Sequence, residues 1–145
     1  AGGRVTTVAA TRGIIASDCR VHSGDACETS APKIRRYGNR RIGIAGDYFT
    51  AARFWRWLDG GMKGKPPATR ALDILVGENG ALAFWAVIGG ELVKTPVTDA
   101  YAAIGTGSDV ANGAMYAGKG AVTAIKAATK HDTKTGNGVR WMRYG

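Results

Sequence analysis

The stretch TTVAATRGIIASD, Thr6 to Asp18, decides the fold. Val5 to Thr11 is rich in β-branched residues, the composition of a strand. Arg12-Gly13 marks a tight turn, and Ile14 to Val21 reads as the returning strand of a hairpin. The same hairpin carries chemistry. Thr6 lies at its start and Asp18 near its end, and Lys33 follows Asp18 by fifteen residues. A threonine hydroxyl is a weak nucleophile without a base, and its own α-amino group can be that base when the residue is N-terminal. Thr6, Asp18 and Lys33 would then supply a nucleophile, a buried anion and a cation. Ala1 to Val5 precede Thr6, so this chemistry depends on whether those five residues are removed.

Outward from the hairpin, His22 to Pro32 is polar and reads as a loop or broken strand. Lys33 to Tyr37 and Arg41 to Gly46 flank Gly38-Asn39, a second hairpin. The period then changes. Tyr48, Ala51, Ala52, Trp55 and Leu58 recur at helical spacing, with Asp47 as the expected N-cap and Asp59-Gly60-Gly61 as the stop. A loop with Pro66-Pro67 leads to strands at Ala71 to Val76 and Ala81 to Ile88. Shorter strands follow at Glu91 to Thr95 and Tyr101 to Gly105. Two Ala-rich helices, Ser108 to Ala117 and Ala121 to Lys130, precede a last strand at Val139 to Tyr144. Strands grouped apart from helices predict an α+β layered domain: two antiparallel sheets packed together, with helices outside.

A chain of 145 residues with 45% hydrophobic residues fits one domain, and its 22 glycines predict tight turns and closely packed backbones. No apolar run approaches the roughly 20 residues that span a bilayer, and the N-terminal stretch lacks the apolar core of a signal peptide. A start at Ala is what removal of an initiator Met would leave. Cys19 and Cys27 are too few for a metal site or a disulfide framework, and are read as free thiols in a reducing cytoplasm, with a bridge across eight residues as the alternative. The formal charge of +9 permits contact with nucleic acid or with an acidic partner. No nucleic-acid-binding motif accompanies it, so a solvated basic face is the simpler reading. Phe54, Trp55, Trp57, Trp85 and Trp141 read as core or interface anchors.

Four patches in order resemble a proteasome β-type subunit, in particular the HslV branch of the N-terminal-nucleophile hydrolases. They are Thr6 to Asp18, KIRR at Lys33 to Arg36, GIAG at Gly43 to Gly46 followed by an aromatic helix, and AIGTGSDVANG at Ala103 to Gly113. The tail DTKTGNGV, Asp132 to Val139, is a weaker fifth. The resemblance implies a four-layer αββα sandwich over residues 1 to 145, with residues 1 to 5 a propeptide or assembly arm. It implies Thr6 as nucleophile, Lys33 as the cation beside its hydroxyl, and Asp18 as the anion that holds Lys33. It further implies the Gly46 N–H as oxyanion donor, with Ser108 and Asp132 as polar support around the Thr6 amine. Read alone, Ser108 is equally an N-cap and Asp132 a turn residue. No metal or organic cofactor is implied.

The resemblance also sets expectations about partners. They are copies of this chain in a ring or larger assembly, a peptide substrate and an ATP-dependent unfoldase, all in the cytoplasm, with no membrane. Two departures stand out. Val5 occupies the place where self-cleaving family members usually have glycine, and Pro66-Pro67 interrupts the region where a second long helix would follow the first. The second bears on ring geometry; Lys33, Asp18 and Gly46 favour the peptidase, whereas Ala1 to Val5 ahead of Thr6 favour an alternative: a catalytically silent member of the same fold built into a larger assembly such as a phage virion. A basic nucleic-acid-binding domain is a third reading, resting on charge alone.

Overall fold

The computed structural model describes residues 3–4, 6–19, 32–131 and 138–145; for residues 3, 4 and 131 it describes the backbone only. The first hairpin forms as the composition requires. Strand β2 (Thr7–Thr11) turns through Arg12 and Gly13, both at positive φ, into β3 (Ile14–Cys19). Two positive φ angles in succession match the twist of the flanking strands, which explains the tight return. On the outer sides of this pair lie β9 (Tyr101–Gly105) and β10 (Gly138–Arg143), giving a four-stranded antiparallel sheet in the order β10-β3-β2-β9.

The second sheet holds β1 (Gly3–Arg4), β4 (Ile34–Tyr37), β5 (Arg40–Asp47), β6 (Leu72–Glu78), β7 (Ala81–Ile88) and β8 (Glu91–Pro96). It runs β5-β6-β7-β8, with both β1 and β4 paired to β5. The short strand β1 is absent from the sequence expectation, which joined Val5 to the first hairpin.

Alternation along the strands sorts the core into three layers. Val8, Ala10 and Ile15 from one sheet meet Ile34, Ala45 and Leu75 from the other, between the sheets. Ile42, Ile44, Ile74 and Val76 point the other way, onto Phe54, Trp55 and Leu58 of helix α1 (Tyr48–Asp59). Ala9 and Ala16 face helices α2 (Ser108–Tyr116) and α3 (Ala121–His131) through Ala111, Ala121, Ala124 and Ile125. The result is the four-layer αββα sandwich. Phe54 is fully buried, and a side chain of that size contributes about 1.5–3 kcal/mol by leaving water.

Asp47 caps α1 as expected: its carboxylate accepts from the Thr50 N–H at 2.9 Å and the Thr50 hydroxyl at 2.8 Å. These two bonds, the backbone one first, pull the Asp47 carboxyl below its usual value. Ser108 is not the cap of α2. Gly107 occupies that position and Ser108 is the first helical residue. Trp85 and Trp55 are buried, whereas Trp141 is half exposed with the Arg143 guanidinium 5.7 Å from its ring centre. Cys19 is disulfide-bonded, which corrects the free-thiol reading and removes its support for a reducing compartment. Cys27 is the chain's other cysteine and lies outside the described residues. No helix among the described residues is long and apolar enough to cross a membrane.

Candidate active site

Thr6 stands immediately before β2, and two elements pin its backbone. Its carbonyl accepts from the Thr106 N–H at 3.1 Å. The next residue, Thr7, receives the Gly107 N–H on its hydroxyl oxygen at 3.0 Å. A Cβ at Gly107 would lie 2.4 Å from that oxygen and 2.9 Å from the Ala128 methyl, so only glycine lets the corner before α2 come this close. This gives the GTGS run of the fourth sequence patch a physical role. It is a backbone clamp on Thr6-Thr7.

The three charged or nucleophilic residues expected from the sequence meet at one carboxylate. Asp18, fully buried near the end of β3, accepts the Thr6 hydroxyl at 2.8 Å and the Thr7 N–H at 2.8 Å on the same oxygen. Its other oxygen accepts the Lys33 ammonium at 2.7 Å. Lys33 is itself placed by its carbonyl, which accepts from the Ile44 N–H at 3.0 Å. A carboxylate out of water needs such donors, because an unpaired buried charge is expensive. The direct bond from the Thr6 hydroxyl to Asp18 was not in the sequence expectation, which put Asp18 on Lys33 alone. Asp18 joins the two.

Gly46 lies near the end of β5 with φ +129, a conformation that L side chains rarely adopt. A Cβ there would sit 2.1 Å from the Ala71 carbonyl oxygen. The β1 backbone pairs with this end of β5, Gly3 opposite Asp47 and Arg4 opposite Gly46. Thr6, Asp18, Lys33 and Gly46 all line one cavity of about 530 Å³. Its far walls are Ile44, Ala52 and Trp55, with charged groups at Arg35, Arg56, Asp59 and Arg140. The sequence reading named none of these wall residues as functional. The alternation of Arg35 and Tyr37 toward an aromatic helix was the one signal available.

Ser108 lines a different, smaller cavity together with Leu72, Ile74 and Ile104. It is two residues from Thr106 but is not among the residues lining the Thr6 cavity. Asp132 lies outside the described residues. Among the described residues no group of three His, Cys, Asp or Glu side chains could hold a metal ion. A threonine hydroxyl on a buried, lysine-paired carboxylate beside a glycine backbone has the parts of an acyl-transfer site.

No protein-family model and no curated protein sequence matches the chain. Solved structures do. HslV from Trypanosoma brucei is similar over 94% of this chain and 97% of its own, at 21% identity and TM-score 0.64. BPH from Thiobacillus denitrificans, solved in complex with epoxomicin, matches over 97% of this chain and 99% of its own, at 20% identity and TM-score 0.61. The Anbu complex from Pseudomonas aeruginosa, solved as a helical assembly, matches over 96% of this chain and 80% of its own, at 14% identity and TM-score 0.64. The chain has the fold of the HslV and proteasome β-type subunits.

Proposed function

We propose that the chain is a threonine endopeptidase subunit of the N-terminal-nucleophile type, with Thr6 as nucleophile once the Val5–Thr6 bond has been hydrolysed. The observation that carries this reading is the Thr6–Asp18–Lys33 chain of hydrogen bonds opening onto the cavity that Gly46 also lines. Asp18 orients the Thr6 hydroxyl. The freed α-amine takes the hydroxyl proton as Oγ adds to a peptide carbonyl, and the Gly46 N–H stabilises the oxyanion. Collapse of the adduct expels the protonated amine and leaves an ester on Thr6, which water hydrolyses. Ser108 and Asp132 belong to this proposal as polar support for the α-amine. Similarity to HslV and to the Anbu complex, solved as a helical assembly, supports self-association; an unfoldase partner is proposed from the sequence resemblance alone.

A second reading has its own observation. The β1 backbone occupies the β5 edge at Gly46 and Asp47, where an extended peptide would add as a strand. A chain that keeps this arm has an acylated Thr6 nitrogen and no amine base. It would be a structural member of the fold, in a virion or another assembly. Intact mass and N-terminal sequencing of the assembled protein separate the two. A species beginning at Thr6 that hydrolyses peptides and is blocked by epoxomicin supports the peptidase. Retention of the arm on prolonged incubation, with no hydrolysis, supports the structural role.

A further inference from the structure

Asp18 has two kinds of partner. Thr6 and Thr7 reach it from the β2 side of its own hairpin, through the Thr6 hydroxyl and the Thr7 N–H. Lys33 reaches it at 2.7 Å from the residue just before β4, in the other sheet. Strand pairing holds the first two contacts. The third depends on how the end of β3 is held against the start of β4. Directly after Asp18 comes Cys19, the last residue of β3, 6% exposed and lining the same cavity as Thr6 and Lys33. Cys19 is disulfide-bonded and the chain has one other cysteine, so its partner is Cys27. Acyl transfer uses neither sulfur.

The bond shortens the covalent path between the two sheets at this point. From Cys19 to Lys33 the chain runs fourteen residues, but from Cys27 to Lys33 it runs six. The entropy lost in bringing two ends together grows as three-halves of the logarithm of the length between them, so opening the bond should weaken the Asp18–Lys33 contact about threefold. The Lys33 end has its own anchors, its carbonyl on the Ile44 N–H and the fully buried Ile34 that follows. At the other end Cys19 pairs with Gly138, the first residue of the edge strand β10. Element ends open most easily, and the bond holds this one next to the carboxylate on which the site converges.

We propose that the Cys19–Cys27 disulfide is a redox-sensitive brace for the Asp18–Lys33 ion pair: the site is complete when the bond is formed and loosens when a dithiol opens it. In that step one thiolate of the dithiol attacks a cysteine sulfur, giving a mixed disulfide and releasing the other cysteine as a thiolate. The second thiolate of the reductant displaces the remaining cysteine. The protein gains two electrons and two protons as a pair of thiols, and the reductant leaves as a cyclic disulfide. The cavity gives a small dithiol its approach to Cys19. The consequence for hydrolysis rests on the peptidase reading; the brace itself does not.

The test compares the oxidised full chain with the same chain reduced by dithiothreitol under folding conditions. Peptide mapping without reductant should recover Cys19 and Cys27 as one linked pair, and a free Cys19 thiol there overturns the proposal. Brief acetylation, read residue by residue by mass spectrometry, then reports on the ion pair. Lys33 should react about threefold faster after reduction, while the exposed Lys63 and Lys119 keep their rates. The slow rate should return when oxidised glutathione re-forms the bond. Cys27→Ser should show the fast rate from the start and no response to dithiothreitol. Peptide hydrolysis should fall on reduction in step with the change at Lys33. An unchanged Lys33 rate overturns the brace, as does hydrolysis that is indifferent to reduction. Loss of the circular dichroism spectrum on reduction also overturns it, because the bond would then be a staple of the whole fold. A Lys33 response with no hydrolysis in either state keeps the brace and removes the peptidase reading.

Discussion

The two outer faces of the sandwich are built from opposite materials. Under α2 and α3 the buried contacts are alanines, a methionine and one isoleucine. Under α1 they are phenylalanine, tryptophans and branched aliphatics. Small side chains let the helix layer close down on β2 and β3, and the Gly107 clamp on Thr7 is part of that closeness. Thr6 and the Asp18 carboxylate therefore sit beside this closely packed layer. Large side chains line the other face, and a cavity of about 530 Å³ lies where α1, β3 and β4 meet. On the peptidase reading, one face fixes the reacting groups and the other shapes what reaches them.

The sharpest way to break this division is Thr6→Ala. On the peptidase reading it should reduce peptide hydrolysis roughly a thousandfold or more, while leaving the fold unchanged by circular dichroism. Residual hydrolysis near the wild-type rate would take the chemistry away from the small-residue face.

Phe54→Ala probes the aromatic face. Deleting this fully buried ring should lower unfolding free energy by about 3–5 kcal/mol, measured by urea denaturation. Gly107→Ala probes the other face. Its methyl would crowd Thr7 and Ala128 and should lower stability by about 1–3 kcal/mol, with a drop in kcat larger than any change in KM. If the two faces act independently, the double variant should lose the sum of the two within about 0.5 kcal/mol. A larger departure would mean that the layers are coupled through the sheets.

The smallest effect concerns Tyr37, next to the cavity wall. Burial first, then its hydrogen bond to Asp59, pushes the phenol up to about 12 from 10.0. A group whose folded value is raised gives its stabilisation in full below the unfolded value and loses it as pH climbs through the folded one. Stability should therefore decline between about pH 10 and pH 12 more steeply in the wild type than in Tyr37→Phe. Tyr144 is also raised by burial, but it titrates in both proteins and cancels in the comparison. Parallel curves from pH 9 upward would remove Tyr37 from the wall's electrostatics.

Much of this architecture was legible in the residues. Arg12-Gly13, the helical spacing of Tyr48 to Leu58 with its Asp47 cap, and the two Ala-rich segments each sat where the structure has an element. The misses have physical causes. Gly3–Arg4 has no periodicity to read, and becomes a strand only because β5 offers a free edge. Ser108 looked like a cap by residue type, yet the chain entered the helix at Gly107, where a glycine was needed against Thr7. Cys19 was read as a free thiol from the low cysteine count, and its disulfide overturned that reading.

By itself the sequence determined the kinds of element, their order and the residue types available for chemistry. Those depend on periodicity and turn residues within a few positions, which the chain carries locally. Only the tertiary structure decided that Thr6 and Lys33 meet on one oxygen pair of Asp18, that Gly107 clamps a threonine 100 residues earlier, and that Gly46 lines the same cavity as Thr6. Convergence of that kind is set by the pairing of distant strands and the closeness of packed layers, and no local pattern encodes a distance between residues so far apart.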